Sequence, residues 1–359
     1  MLNNILAQFG LKPSDYQINS FGSGLINHTF KLSGKIDEYI LQQINIDVFK
    51  SPYSIANNLI ALQSYLKETH PDYFFAGMLP SVSGDFLVES ESGEYYRLFP
   101  FVKGSQSLDF VSEERQAFEA AKQFGKFTFV LKDFDISLLA YTLVDFHNLK
   151  LRFEQFNKAC NNAKNERTVR ASAEIKEVYN CLDILQTYNR LTANNAIPLR
   201  VIHHDTKISN VLFDDKQNGL CVIDLDTVMP GYFLSDVGDM MRTYLSPANE
   251  EETDLSKVYI RENVFSAICQ GYLSEMRNVL TAEEKRYFVF SGELMIYMQA
   301  IRFLTDYLNN DIYYEPKYPD HNLNRAKNQL KLLNEYLQAK EKFERLVMEA
   351  DENITATNN

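Results

Sequence analysis

The 359-residue chain has no run approaching the roughly 18 uninterrupted apolar residues that a membrane span needs, so a soluble protein with no membrane partner is expected. Cysteine is scarce. Cys160, Cys181, Cys221 and Cys269 lie far apart with no C-x-x-C pair, which excludes a disulfide framework and a structural zinc site and leaves ordinary buried thiols. Positive charge is in deficit: 36 Lys and Arg against 48 Asp and Glu give a net charge of -12. That balance repels a phosphate backbone at long range and argues against nucleic acid, yet a nucleotide can still be held by a few local donors and a metal. Residues 1–10 hold no basic residue and no apolar core before a small-residue cleavage site, so no secretion signal is read and the cytoplasm is the expected location. There is no internal repeat or low-complexity tract. A monomer or weak homo-oligomer is the expectation.

What is present is an ordinary globular composition, 45% hydrophobic and 23% charged, in a chain long enough for two lobes. Residues 1–103 read as a short helix and a small antiparallel sheet. The strand candidates are 16–21, 28–32, 38–44, 86–89 and 95–101, and one amphipathic helix over 54–69 is marked by Ile55, Leu59, Leu62 and Leu66. Beyond Lys103-Gly-Ser105 the pattern turns to long helices, expected at 113–132, 171–188, 258–276, 282–308 and 322–348, with a frayed tail after Ala350. A β-rich island at 201–226 interrupts them.

That island carries the chemistry. Val201-Ile-His-His-Asp-Thr-Lys-Ile-Ser-Asn210 followed by Cys221-Val-Ile-Asp224 has the order H-x-D-x-x-x-x-N, an apolar strand, then an acid. Phosphoryl transfer from ATP needs a carboxylate to orient and deprotonate the acceptor hydroxyl, and oxygen ligands for magnesium on the phosphates. Asp205 suits the first role, and Asn210 and Asp224 the second. A loop between two short strands lets residues five apart face one cleft while the returning strand brings Asp224 beside them. His203 reads as a brace for the loop. Taken singly, an Asp or Asn near a turn is a turn former or helix cap, but an ordered His-Asp-Asn-Asp set between apolar strands outweighs that reading.

On these residues the chain resembles the aminoglycoside phosphotransferase and choline kinase superfamily, whose fold is related to that of protein kinases. The resemblance implies an α+β, bilobal, protein-kinase-like fold: a nucleotide-binding lobe at 1–103 with a small antiparallel sheet, and a mostly helical catalytic and substrate-binding lobe at 104–359. It implies ATP and Mg2+ as cofactors, Asp205 as base, Asn210 and Asp224 as metal ligands, and Asp236 as a brace for the catalytic loop. His204-Asp-Thr-Lys-Ile-Ser-Asn210, Ile223-Asp-Leu-Asp-Thr-Val-Met-Pro-Gly231, Arg302-Phe-Leu-Thr-Asp-Tyr-Leu308 and Tyr318-Pro-Asp-His-Asn-Leu323 are similar to bacterial N-acetylhexosamine 1-kinases. The implied reaction makes a sugar 1-phosphate, with Asp205 binding the anomeric hydroxyl and His28 and Arg302 contacting ring substituents or acetamide. Tyr313 and Tyr314 are aromatic candidates for the sugar face. Bland readings stand beside these: an i,i+4 salt bridge of Arg302 with Asp306, and a helix-end cap for the tyrosines. A kinase for an amino alcohol, aminoglycoside or amino acid, or an inactive nucleotide-binding regulator, are the alternatives.

On the nucleotide side, Phe21-Gly-Ser-Gly-Leu-Ile-Asn27 reads as a strand-turn-strand loop whose Gly22, Ser23 and Gly24 are expected to lie over the phosphates, with Asn27 where a third glycine would stand; taken alone it reads equally as a hairpin turn. One departure matters. Kinases of this fold carry a third-strand lysine paired with a helix glutamate. Here Gln42 occupies the lysine position, and the helix at 54–69 has no acid before Glu68. Lys207, two residues after Asp205, is expected to supply part of the missing charge.

Overall fold

The computed structural model describes residues 2–22 and 26–357. Helix α1 (Leu2–Gln8) precedes strands β1 (Tyr16–Ser20), β2 (His28–Gly34) and β3 (Glu38–Ile44), helix α2 (Pro52–Thr69), and strands β4 (Val88–Glu89) and β5 (Tyr95–Pro100). These strands make one antiparallel five-stranded sheet in the order β1-β2-β3-β5-β4. The register sets Gln42 of β3 directly opposite Arg97 of β5, so the two side chains leave the same face.

Five helices and two short strands follow. They are α3 (Glu114–Val130), α4 (Leu149–Asn162), α5 (Asn165–Arg170), α6 (Ser172–Asn180), α7 (Leu182–Ala193), then β6 (Arg200–Ile202) and β7 (Val211–Phe213). Strands β8 (Gly219–Val222) and β9 (Met229–Gly231) complete the island, and α8 (Phe233–Tyr244), α9 (Glu262–Met276), α10 (Ala282–Arg286), α11 (Phe288–Leu308) and α12 (His321–Thr357) close the chain. Strand β6 pairs with β9 and β7 with β8, both antiparallel. Just past the sheet, Gln106 exchanges two backbone hydrogen bonds with Phe213 of β7, at 2.9 and 2.8 Å, so the chain leaving the sheet is fastened to the island. Among the described residues no helix is long and apolar enough to cross a membrane. The four cysteines are free thiols, Cys221 and Cys269 buried and the other two half-buried.

The architecture thus matches the expected α+β plan, and the differences have local causes. Helix α8 was not among the expected helices, although Phe233, Leu234, Val237, Met240, Met241 and Tyr244 recur at helical spacing, and nearly all of it is buried. Gly238 is what allows it there: a Cβ would sit 2.1 Å from the Ser291 carbonyl oxygen on α11. The expected helices over 171–188 and 282–308 each break once, at Cys181 and Tyr287, into α6 and α7 and into α10 and α11. Helix α12 runs to Thr357, past the expected frayed start.

Two cores hold the protein together. A small one under the sheet contains Leu6, Leu32, Leu41, Tyr96 and Leu98, and the large one fills the helical part. Helix α2 follows the sheet strands in sequence, yet its buried Ile55, Leu59 and Leu62 join the large core. Asn58 fixes it there: its side-chain amide donates to the Ala140 and Val228 carbonyls and accepts from the Ala140 N–H.

Candidate active site

Asp205 lies on the loop between β6 and β7, and the loop's backbone is held from beneath by α8. Asp236 accepts the His203 N–H at 2.8 Å and the His204 N–H at 2.7 Å, while Asp239 accepts the Thr206 N–H at 2.9 Å. The Thr206 hydroxyl donates to the Asp236 carbonyl, and the Tyr244 hydroxyl donates to the Thr206 carbonyl at 2.6 Å. Burial pushes the Asp236 carboxyl up to about 6, although His203 and the two N–H groups pull the other way. Asp239 is also raised by burial, with the Arg242 guanidinium at 2.9 Å opposing the shift.

His203 is buried, edge-on to Phe124 at 5.1 Å, and acts as the brace expected of it. Its Nδ1 accepts from the Asp205 N–H at 3.3 Å, so the proton belongs on Nε2, which donates to the Ile223 carbonyl at 2.9 Å. His204 takes a left-handed φ of 67°, and its ring comes so close to β9 that any Cβ at Gly231 would lie 2.6 Å from it. This is why the Met229-Pro-Gly231 segment ends in glycine.

These constraints present the Asp205 carboxylate to the cleft. The Asn210 side-chain amide donates to its Oδ2 at 3.0 Å and to its carbonyl at 2.8 Å, and Lys207 Nζ lies 2.9 Å from Oδ2. Burial raises the Asp205 carboxyl, but Lys207, His203 and Asn210 outweigh it and the group is held below its ordinary value. Lys207 is raised in turn: burial opposes its charge, but Asp205 and then Asp224 more than offset that. The carboxylate stays ionised and aimed.

Asp224 follows β8 with a left-handed φ of 59°. Its side chain is open to the cleft and walled by protein elsewhere, and this partial loss of water, with Asp226 and Asp205 nearby, lifts its pKa to about 6. With Nδ2 of Asn210 committed to Asp205, its Oδ1 takes no hydrogen bond among the described residues and remains available as a ligand. No set of three His, Cys, Asp or Glu side chains converges as a ready-made cage among those residues. One carboxylate and one amide oxygen suit magnesium, which commonly takes one or two protein ligands and completes its shell with water and phosphate.

The model of the phosphotransferase enzyme family matches residues 17–268. The chain belongs to that family. The solved structures similar to it include a microcompartment-associated aminopropanol kinase, at 14% identity and a TM-score of 0.62 over 96% of this chain and 98% of the other. An amicoumacin kinase in complex with AMP-PNP, Ca2+ and Ami matches at 13% identity and 0.61 over 93% and 92%. A choline/ethanolamine kinase family protein from Mesorhizobium loti matches at 13% and 0.55 over 98% and 99%. Identities this low establish a shared kinase-like fold, and the family establishes a small-molecule phosphotransferase.

The remaining sequence candidates belong to the sheet and to the α11–α12 region. Gly22 has a φ of 80° and His28 is exposed at the start of β2, whereas Ser23 and Gly24 lie outside the described residues. Asn27 is no glycine substitute: its Nδ2 donates to Asp226 Oδ2 at 2.7 Å and its Oδ1 accepts the Asn45 N–H at 3.0 Å, which ties the loop's end to the island. Gln42 accepts from Arg97 and donates to the Thr29 hydroxyl.

Arg302 forms no ion pair with Asp306. Its guanidinium lies over the rings of Phe146 and Tyr314, at 5.5 and 5.6 Å, and donates to Gln299 at 3.2 Å. Asp306 is occupied elsewhere, accepting the N–H groups of Tyr313 and Tyr314, each at 2.8 Å. Tyr314 is half-buried, but Tyr313 is 71% exposed. Phe146 stacks on His147 at 4.3 Å, and His147 lies 5.3 Å from the His204 ring, so a continuous line of rings runs from Arg302 to the residue before Asp205. Sequence reasoning missed this line. Phe146 and His147 sit in an irregular segment whose only signal was a pair of adjacent aromatic rings. His147 is held well below its ordinary pKa by burial, then by His204, Arg302, Arg242 and Arg152, and is therefore neutral.

Proposed function

We propose that this phosphotransferase moves the γ-phosphoryl group of ATP, with Mg2+, to the anomeric hydroxyl of a free N-acetylhexosamine, giving the sugar 1-phosphate and ADP. The observation that carries the chemistry is the Asp205 carboxylate, held ionised by Lys207 and oriented by Asn210 across from Asp224. Asp205 accepts the hydrogen bond of the acceptor hydroxyl and then its proton. A carboxylate with a lowered pKa is a weak base but a good orienting group, which is what a loose phosphoryl transfer asks for. Asn210 and Asp224 would hold the metal, which neutralises charge on the phosphates when bound. Lys207 contributes positive charge where the transferred group gathers negative charge.

The acceptor end favours a neutral sugar over a cationic amine. Neither Arg302 nor Arg152 forms an ion pair among the described residues, and each pulls down the pKa of His147, so two cations border one ring-lined wall. An amino alcohol or aminoglycoside would bring a third positive charge there, while an acetamide carbonyl offers the acceptor that a guanidinium wants. His28 and Tyr314 complete the wall in this reading, with Tyr313 at its outer rim. Residues 1–103 then serve the nucleotide, through Gly22, Ser23, Gly24 and Gln42, and residues 104–359 the catalysis and the acceptor. Use of ATP and a free sugar fits the cytoplasm, and nothing in the scheme needs more than a monomer or weak homo-oligomer.

The test is to incubate the pure protein with Mg-ATP and a panel of free sugars, amino alcohols, aminoglycosides and amino acids and to locate the new phosphate by phosphorus NMR. Phosphate on the anomeric oxygen of an N-acetylhexosamine is the expected result. Phosphate on O6 or on an amine-bearing acceptor overturns the acceptor assignment, and tight ATP binding with an inactive panel turns the reading to a regulator.

A further inference from the structure

We infer that Arg97, on the fifth strand of the sheet, is the residue that grips the nucleotide's phosphates, in place of the lysine missing from the third. The inference rests on the reading of the cleft as an ATP site.

Three observations converge on it. Arg97 stands directly across the sheet from Gln42, which occupies the lysine position, so its longer side chain reaches the same space from the neighbouring strand. Its Nε and Nη2 donate to Gln42 Oε1 at 3.2 and 2.9 Å, and Nη2 lies 2.5 Å from Asp226 Oδ1. A glutamine here is the sensible neighbour: it orients the guanidinium, whereas a second cation would crowd it.

The guanidinium is also unfinished. Arg97 is 1% exposed, yet its Nη1 has no hydrogen-bond partner among the described residues. A buried donor without an acceptor is costly, and such a group survives where something absent from the protein supplies the acceptor. A guanidinium with one edge fixed and another open fits a phosphate oxygen.

Its position suits that ligand. Asp226 is two residues past Asp224, and the positive charge of Arg97 is felt at the Asp224 carboxylate. The other oxygen of Asp226 takes the Asn27 amide from the end of the glycine loop. Sheet, glycine loop and metal-binding segment therefore meet at one carboxylate, and the buried, unpartnered Nη1 of Arg97 belongs to the guanidinium paired with it. The pair Arg97–Asp226 replaces the usual lysine–glutamate pair, with both partners moved: the cation from the third strand to the fifth, the anion from helix α2 to the segment after β8.

The rival account is a buried clasp that never touches nucleotide. Calorimetric titration with adenosine, ADP and ATP, the first two also in EDTA to remove metal ligation, separates the two. Arg97→Met leaves Asp226 buried alone and can unfold the protein, so the double variant Arg97→Met with Asp226→Asn, which removes both charges, is titrated beside it. Phosphate contact predicts ADP and ATP weakened by at least about tenfold in the folded variants, with adenosine within about twofold of wild type. A folded double variant that binds ADP in EDTA as well as wild type does, or that loses adenosine to the same degree as ADP, overturns the assignment and leaves the ATP reading standing. A wild-type protein that binds neither adenosine nor ADP removes the nucleotide reading itself.

Discussion

Two loops in this protein are fastened by the same device, an aspartate accepting two consecutive backbone N–H groups. Asp236 holds His203 and His204, and Asp306 holds Tyr313 and Tyr314. The settings differ. Asp236 is in the first turn of α8, where the helix's positive end favours a carboxylate, and the loop it holds is buried. Asp306 is in the last turn of α11, the unfavourable end, and relies on the Asn322 amide at 3.1 Å, while its loop carries the exposed Tyr313. A buried loop has no water to fall back on when an acceptor is lost, whereas an exposed one does. The comparison teaches that the device under Asp205 fixes a buried loop rigidly, and under the proposed function the other only trims the shape of the acceptor wall.

The hardest test of that difference is Asp205→Asn. It should lower kcat about a thousandfold while changing the thermal unfolding midpoint little, because the backbone bonds to Asp236 and Asp239 that fasten the loop do not pass through the carboxylate. A folded variant with parental turnover would end the assignment of Asp205.

Asp236→Asn probes the fastening itself. With its folded pKa raised to about 6 from an ordinary value near 4, Asp236 holds its proton more tightly in the folded protein than in the unfolded chain. Its contribution to stability is therefore fully present below about pH 4 and lost as pH rises through about 6. Between pH 4 and 7 the wild type should lose about 1–3 kcal/mol more unfolding free energy than the asparagine variant, measured by urea titration. Parallel curves would mean that Asp236 does not titrate in this range.

Lys207→Ala should lower kcat at least tenfold with the KM for ATP changed less, since a charge felt in the transition state acts on turnover. A change within about twofold would leave Lys207 a solvated loop residue. The smallest effect is expected at the second loop: Asp306→Asn should raise the acceptor KM by about three- to tenfold and spare the KM for ATP. If instead it matched Asp236→Asn in pH-dependent stability, the distinction between the two loops would collapse.

Much of the site was legible because its members are close in sequence. His203, Asp205, Lys207 and Asn210 sit within one loop, and a single β-hairpin returns Asp224 to it, so spacing alone predicted their meeting. Where partners are distant the reading failed in an instructive way. Arg302 and Asp306 are four apart on a helix and invited an ion pair, but Asp306 turned to the backbone seven and eight residues on, and Arg302 to the ring of Phe146. Helix α8 escaped notice although its apolar residues recur at helical spacing, because it is only twelve residues long and carries Gly238, a poor helix former, in its middle.

By itself the sequence determined the kind of chemistry and the outline of two lobes, since strand and helix periods, turn residues and a short-range motif are written locally. The tertiary structure alone decided which long-range partners complete the site. Asn27 and Asp226 are 199 residues apart, and Gln42 and Arg97 are 55 apart. Such pairs depend on strand register and on how the sheet settles against the helices, and both are set by the burial of whole faces, which no single stretch of residues encodes.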